Sequence, residues 1–88
     1  MTPFSFYGYC RYGDNERNEL NDMRKGSPLL CQEWCQKERG CVAFSFDMNA
    51  RRDCTLYQGG PYTHGWGMYK KNKNVRKCYL MPAETIRN

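Results

Sequence analysis

Apolar and polar residues alternate cleanly from Val42 to Asp47, with Val42, Phe44 and Phe46 on one side and Ala43, Ser45 and Asp47 on the other. That two-residue period predicts a strand with one face in a core and the other toward water. Cys54-Thr-Leu-Tyr-Gln58 repeats the pattern, with Cys54 and Leu56 sharing a face. The polar run 48–53 between them reads as the turn of a β-hairpin. Upstream the period changes. Leu30, Cys31, Trp34, Cys35 and Glu38 recur at three- and four-residue spacing, which marks one stripe of a helix. Ser27 suits its N-cap and Pro28 its first turn, where a missing N–H costs no hydrogen bond. Gly40 suits a left-handed stop. Cys31 and Cys35, four apart, project from the same helical face, and Trp34 between them belongs to the core.

The flanks are less regular. Residues 4–12 (Phe-Ser-Phe-Tyr-Gly-Tyr-Cys-Arg-Tyr) are rich in aromatic strand formers and predict a first strand, broken or bulged at Gly8. Residues 13–26 are polar with little periodicity, a loop with room for a short strand near its end. Gly59-Gly60-Pro61 ends the hairpin, and Tyr62 to Asn74 reads as a long loop containing Gly65 and Gly67. Val75 to Met81 predicts a closing strand, and 82–88 a frayed tail. A helix among antiparallel strands is an α+β pattern.

Composition changes this picture in one respect. Eighty-eight residues suit a single domain over 1–88, with its core in 4–81. Such a chain buries only roughly 60% of the surface it exposes when unfolded, so its apolar core needs reinforcement. Six cysteines supply it: Cys31-x3-Cys35-x5-Cys41-x12-Cys54, flanked by Cys10 and Cys78 near the two ends. An even count at this density reads as a disulfide framework in an oxidising, extracellular setting, with on the order of 15 connectivities open. The start, Met1-Thr-Pro-Phe, has neither the basic nor the aliphatic run of a secretory leader. The expectation is therefore a secreted chain whose leader has been removed, or a module cut from a longer one. No stretch approaches the roughly 18 uncharged apolar residues of a membrane span.

Taken together, "CQEWC" on a helix, a cysteine just past its end, "CVAFSFD", "DCTLY" and a terminal "KCYL" resemble the PAN/apple family of extracellular modules. The resemblance covers residues 4–81 and is strongest over 31–57. It implies one α-helix packed on a curved antiparallel β-sheet of about five strands, held by three disulfides. It also implies the pairs Cys31–Cys54, Cys35–Cys41 and Cys10–Cys78, which pin the helix to the hairpin and tie the terminal strands together.

Chemistry is sought outside the cysteines. Zinc is disfavoured: no Cys-x2-Cys knuckle accompanies His64, so no metal and no cofactor are expected. The serines are Ser5, Ser27 and Ser45, and none stands in a spacing that suggests a base relay, so the chain is read as non-enzymatic. The net charge of +5 lies wholly in the last third, since residues 1–54 carry eight basic and eight acidic side chains. Lys70, Lys71, Lys73, Arg76 and Lys77 form a basic strip, either a solvated strand edge or a seat for sulfated glycans or acidic proteins. Nucleic acid fits an oxidised extracellular chain poorly. The loop residues Tyr62, His64, Trp66 and Tyr69 add flat rings, suited to sugar or peptide contact or, for Trp66 and Tyr69, to folding back over the sheet as extra core. The expected function is non-catalytic recognition of a carbohydrate, anionic ones included, or of a protein through 59–77. The alternative is a self-associating structural or adhesive subunit, using an exposed aromatic patch among Phe4, Phe6, Tyr7, Tyr9 and Tyr12.

Overall fold

The computed structural model describes residues 4–48, 52–67 and 76–82. The chain runs through β1 (Phe6–Tyr7), β2 (Tyr9–Arg11), β3 (Glu19–Lys25), α1 (Pro28–Lys37), β4 (Cys41–Asp47), β5 (Asp53–Gln58), β6 (His64–Trp66) and β7 (Arg76–Leu80). Five strands form one antiparallel sheet in the order β1-β7-β4-β5-β3, and β2 pairs with β6 in a second, two-stranded sheet. The α+β class, the single helix on a five-stranded antiparallel sheet and the three disulfides stand as expected. The small second sheet does not follow from the sequence pattern.

The helix forms where its signals place it. Ser27 is extended and its Oγ accepts from the Leu30 N–H at 3.2 Å, while Pro28 opens the first turn. The helix stops short of the expected glycine: Glu38, in extended backbone, is its C-cap and donates its N–H to the Trp34 and Cys35 carbonyls. Gly40, at φ +85°, turns the chain beyond it and delivers Cys41 into β4. Cys31 and Cys35 are buried and bonded to Cys54 and Cys41, and Cys10 is bonded to Cys78. The helix is therefore stapled to both strands of the β4–β5 hairpin. Over this face lie Phe44, Phe46, Leu56, Tyr79 and Met81, with Trp34 half-buried against them. Leu30 departs from the predicted stripe. It stays 42% exposed, because the ten-residue helix turns Cys31, Cys35 and Trp34 to the sheet and leaves Leu30 beside Gly26.

β4 is where the expected half-burial fails. It lies between β5 and β7, and the side expected to face water is also covered: Ala43, Ser45 and Asp47 are buried. Cys10, Tyr57, Tyr62 and Cys78 build a second apolar cluster on that face, with Phe6, Tyr12, Val42 and Leu80 around it. Val42 joins this second cluster rather than Phe44 and Phe46. The reason is a register shift against β5 between Cys41 and Ala43, which a two-residue period cannot anticipate. The order through the molecule is helix, five-stranded sheet, two-stranded sheet.

The aromatic N-terminal segment is broken at Gly8, as its sequence suggests, but the break sends its halves into different sheets. β1 pairs with β7 and β2 with β6. Gly8 has φ +100°, a conformation L side chains rarely adopt. Residues 13–26 hold a seven-residue edge strand, β3, longer than the sequence reading allowed. Half of the hairpin turn, at 49–51, and most of the 82–88 tail, at 83–88, lie outside the described residues.

Candidate functional site

The loop reading of residues 62–67 gives way to a strand that builds the most chemically furnished surface among the described residues. β6 pairs with β2 in the register Tyr9↔Trp66, Cys10↔Gly65 and Arg11↔His64. Two glycines allow this approach. A Cβ on Gly65 would collide with the carbonyl oxygen of Tyr7, and one on Gly8 with the backbone of Trp66. With the backbones this close, Trp66 stands beside Tyr9, its indole 49% exposed. Arg11, Asn15, Arg17 and Trp66 line an open cleft of about 280 Å³.

Each lining group has a distinct setting. Asn15, at φ +60°, sits in a tight turn closed by paired Tyr12–Glu16 backbone bonds of 2.9 and 2.7 Å. Its Oδ1 lies 2.9 Å from His64 Nε2, and Thr63 Oγ1 lies 3.0 Å from His64 Nδ1, so the imidazole is held at both nitrogens. Arg11 is buried. Its Nη1 donates to the Cys10 carbonyl at 2.8 Å, and its guanidinium lies 5.2 Å from the Tyr9 ring centre and 5.4 Å from that of Trp66. Arg17 is exposed and reaches Glu19 at 3.4 Å, a surface pair of small energetic weight. The cleft therefore offers a flat apolar ring, an amide and an accessible guanidinium.

Two residues expected at a ligand surface are interior. Arg76 is 7% exposed: it ion-pairs with Asp53 and donates to Ser45 Oγ at 3.0 Å, and Ser45 Oγ lies 3.1 Å from the Tyr57 hydroxyl. Its charge is committed across three strands and is unavailable to a surface strip. Tyr62 is 4% exposed. Its hydroxyl donates to the Gln58 carbonyl at 2.6 Å and accepts from the Asn18 N–H at 3.1 Å, while its ring meets Tyr12 and Tyr57 edge-on. Burial pushes its phenol up to about 12. It is a strut of the second cluster. Burial likewise raises Tyr57, and the Ser45 hydrogen bond opposes that shift.

Lys77 is half-buried, with its ammonium 4.5 Å from the Phe4 ring centre and 6.0 Å from that of Tyr7. Alternation along β7 places it with Tyr79 on the helix side of the sheet, opposite Arg76 and Cys78. The structure thus brings His64 and Trp66 together and sets Lys77 apart from them. Tyr69, Lys70, Lys71 and Lys73 lie outside the described residues. Arg11, Asn15 and Arg17 were missed by sequence reasoning. They sit some fifty residues upstream of Trp66 in a run with weak periodicity, and only the β2–β6 pairing joins them to it.

A second hollow, of about 370 Å³, is lined by Val42, Gly59, Gly60, Pro61, Tyr62, Leu80 and Met81. It is larger but almost wholly apolar, and the one side-chain hydroxyl on its wall is committed to Gln58 and Asn18. Without a polar group to orient a ligand it is the weaker candidate. Among the described residues no group of three or more His, Cys, Asp or Glu stands ready to hold a metal ion. No described helix is long and apolar enough to cross a membrane. Searches for related proteins found no matching family model, curated protein or solved structure.

Proposed function

We propose that this chain is a non-catalytic extracellular recognition module that takes a saccharide at the Trp66 cleft. One observation carries the proposal: a half-exposed indole, on a backbone packed too tightly to shift, faces an open cleft with Asn15 and Arg17. The ring supplies an apolar face for a sugar ring, Asn15 hydrogen bonding, and Arg17 a seat for an anionic substituent. Ser45, the strand serine, is fully buried with its hydroxyl against Arg76 and Tyr57, which supports a non-catalytic role. Three disulfides in a small domain are consistent with an extracellular location. That their pairing is the one the PAN/apple resemblance implies supports assigning the chain to that group of modules.

Self-association is the second possibility, and it has lost ground. Of the N-terminal aromatics Phe4, Phe6, Tyr9 and Tyr12 are at least half-buried, and only Tyr7, at 48%, is exposed. Light scattering at high concentration tests it directly, and a strict monomer ends it.

The test of the main proposal is a glycan array at low and high salt, with Trp66→Ala, Arg17→Ala and the Lys70/Lys71/Lys73→Ala triple variant. Trp66→Ala is expected to weaken binding about 30-fold, the weight of a central aromatic anchor. Arg17→Ala is expected to flatten the salt dependence for acidic glycans. Undiminished binding by Trp66→Ala overturns the proposal. Loss of binding only in the lysine variant moves the site to the basic strip.

A further inference from the structure

Arg11 and Arg17 both line the Trp66 cleft, but their situations differ. Arg17 is exposed and pairs with Glu19 at the surface. Arg11 is 5% exposed, anchored by Nη1 to the Cys10 carbonyl, and lies over Tyr9 and Trp66 together. Tyr9 in turn lies 4.5 Å from the Arg76 guanidinium, which the Asp53 carboxylate fixes in the interior. A continuous contact path therefore runs from the buried ion pair through Tyr9 to the exposed indole.

We infer that Arg11 is a positioning residue for the ligand site, holding the Trp66 indole in a single orientation before any ligand arrives. Three observations carry this. The guanidinium is too buried to be the main charge offered to a ligand. Its planar fork is immobilised by a backbone carbonyl, so it meets two rings at little further cost in side-chain entropy. Trp66 itself sits on a three-residue strand with an adjacent glycine on each side and half its surface in water, so its neighbours across the pair must fix its ring. A ring fixed in advance binds more tightly because less freedom is lost on association. The inference rests on Trp66 as the ligand contact, and for that reason its test is made on the ligand-free protein.

The experiment measures acrylamide quenching and near-UV circular dichroism of Trp66 in a Trp34→Phe background, and of Trp34 in a Trp66→Phe background. Arg11→Met is expected to raise the quenching of Trp66 and erase its near-UV band, while Trp34 reports an unchanged core. Arg11→Lys, which keeps the charge but not the planar fork, is expected to give intermediate values, and Arg17→Ala none of these changes. Saccharide affinity of Arg11→Met is expected to fall about twofold to fivefold, the weight of one partly exposed cation–π contact. An unchanged Trp66 signal in Arg11→Met overturns the inference. So does an equal change at Trp34, which would make Arg11 a general stability residue. Absence of saccharide binding in the parent protein refutes the proposed function and leaves the Trp66 measurement to stand or fall alone.

Discussion

Charge identity is a poor guide to charge role in this chain, as the neighbours Arg76 and Lys77 show. One is sealed between sheets against Asp53 and Ser45, and the next, one strand position on, lies at the surface over Phe4. Removing one partner of a buried pair strands the other's charge, so Arg76→Met is expected to cost about 3–5 kcal/mol in thermal melts. Lys77→Met forfeits partly exposed cation–π contacts with Phe4 and Tyr7 and is expected to cost no more than about 1 kcal/mol. Equal costs would show that Arg76 is not interior. Tyr62 makes a different prediction. The folded chain holds its phenol proton up to about 12, whereas an unfolded tyrosine releases it near 10. A raised folded value means the stabilisation is complete below about pH 10 and is lost as pH climbs toward 12. Tyr62→Phe strands the Gln58 carbonyl and the Asn18 N–H, so near neutral pH it is expected to be less stable by about 1–3 kcal/mol. That gap should narrow between about pH 10 and about pH 12. Parallel stability profiles across that window would contradict the assignment.

At the scale of elements, the informative unit is the crossing of the β1–β2 segment by β6. Gly65 lies opposite Cys10 with the Tyr7 carbonyl where a Cβ would stand. Gly65→Ala therefore forces backbone apart and is expected to cost about 1–3 kcal/mol, as overpacking does. Trp66 should lose its near-UV signature at the same time, since the pairing that positions it is disturbed. Gly13, by contrast, has open space around it. If Gly65→Ala melts like the parent protein and keeps its Trp66 signal, the close approach is not what seats the strand. The helix and the β4–β5 hairpin need no such tertiary accident. Their caps, periods and cysteine spacing are local, and the sequence places them to within a residue or two.

For the whole molecule, the three covalent ties set how much of the fold survives a perturbation. Cys10–Cys78 spans a sequence separation of 68, Cys31–Cys54 one of 23 and Cys35–Cys41 one of 6. Loop-closure entropy then ranks them, at about 4, 3 and 2 kcal/mol in the chain-entropy model. Replacing Cys10 and Cys78 together by serine is expected to lower stability most of the three pairs, and full reduction at 37 °C to abolish the near-UV signal. Cys10 and Cys78 also join the two sheets, so their loss should loosen the Trp66 cleft more than loss of Cys35–Cys41 does. The reverse order would argue that local strain, not loop length, governs these bonds.

The sequence by itself determined the α+β class, the helix with its cap, the hairpin, the closing strand and the number of cysteines to be paired. All of these are written in short-range periods and in residue types with one dominant physical use. Resemblance, not spacing, pointed to the connectivity. Only the tertiary structure decided that β4 is buried on both faces, that residues 64–66 form a strand, and that Arg76 and Tyr62 are interior. These facts depend on a second sheet assembled from β2 and β6, more than fifty residues apart in the chain. A three-residue strand carries too little pattern to be legible on its own. The cleft exists because that distant pairing sets Arg11, Asn15 and Arg17 beside Trp66, and no local feature of any of them announces it.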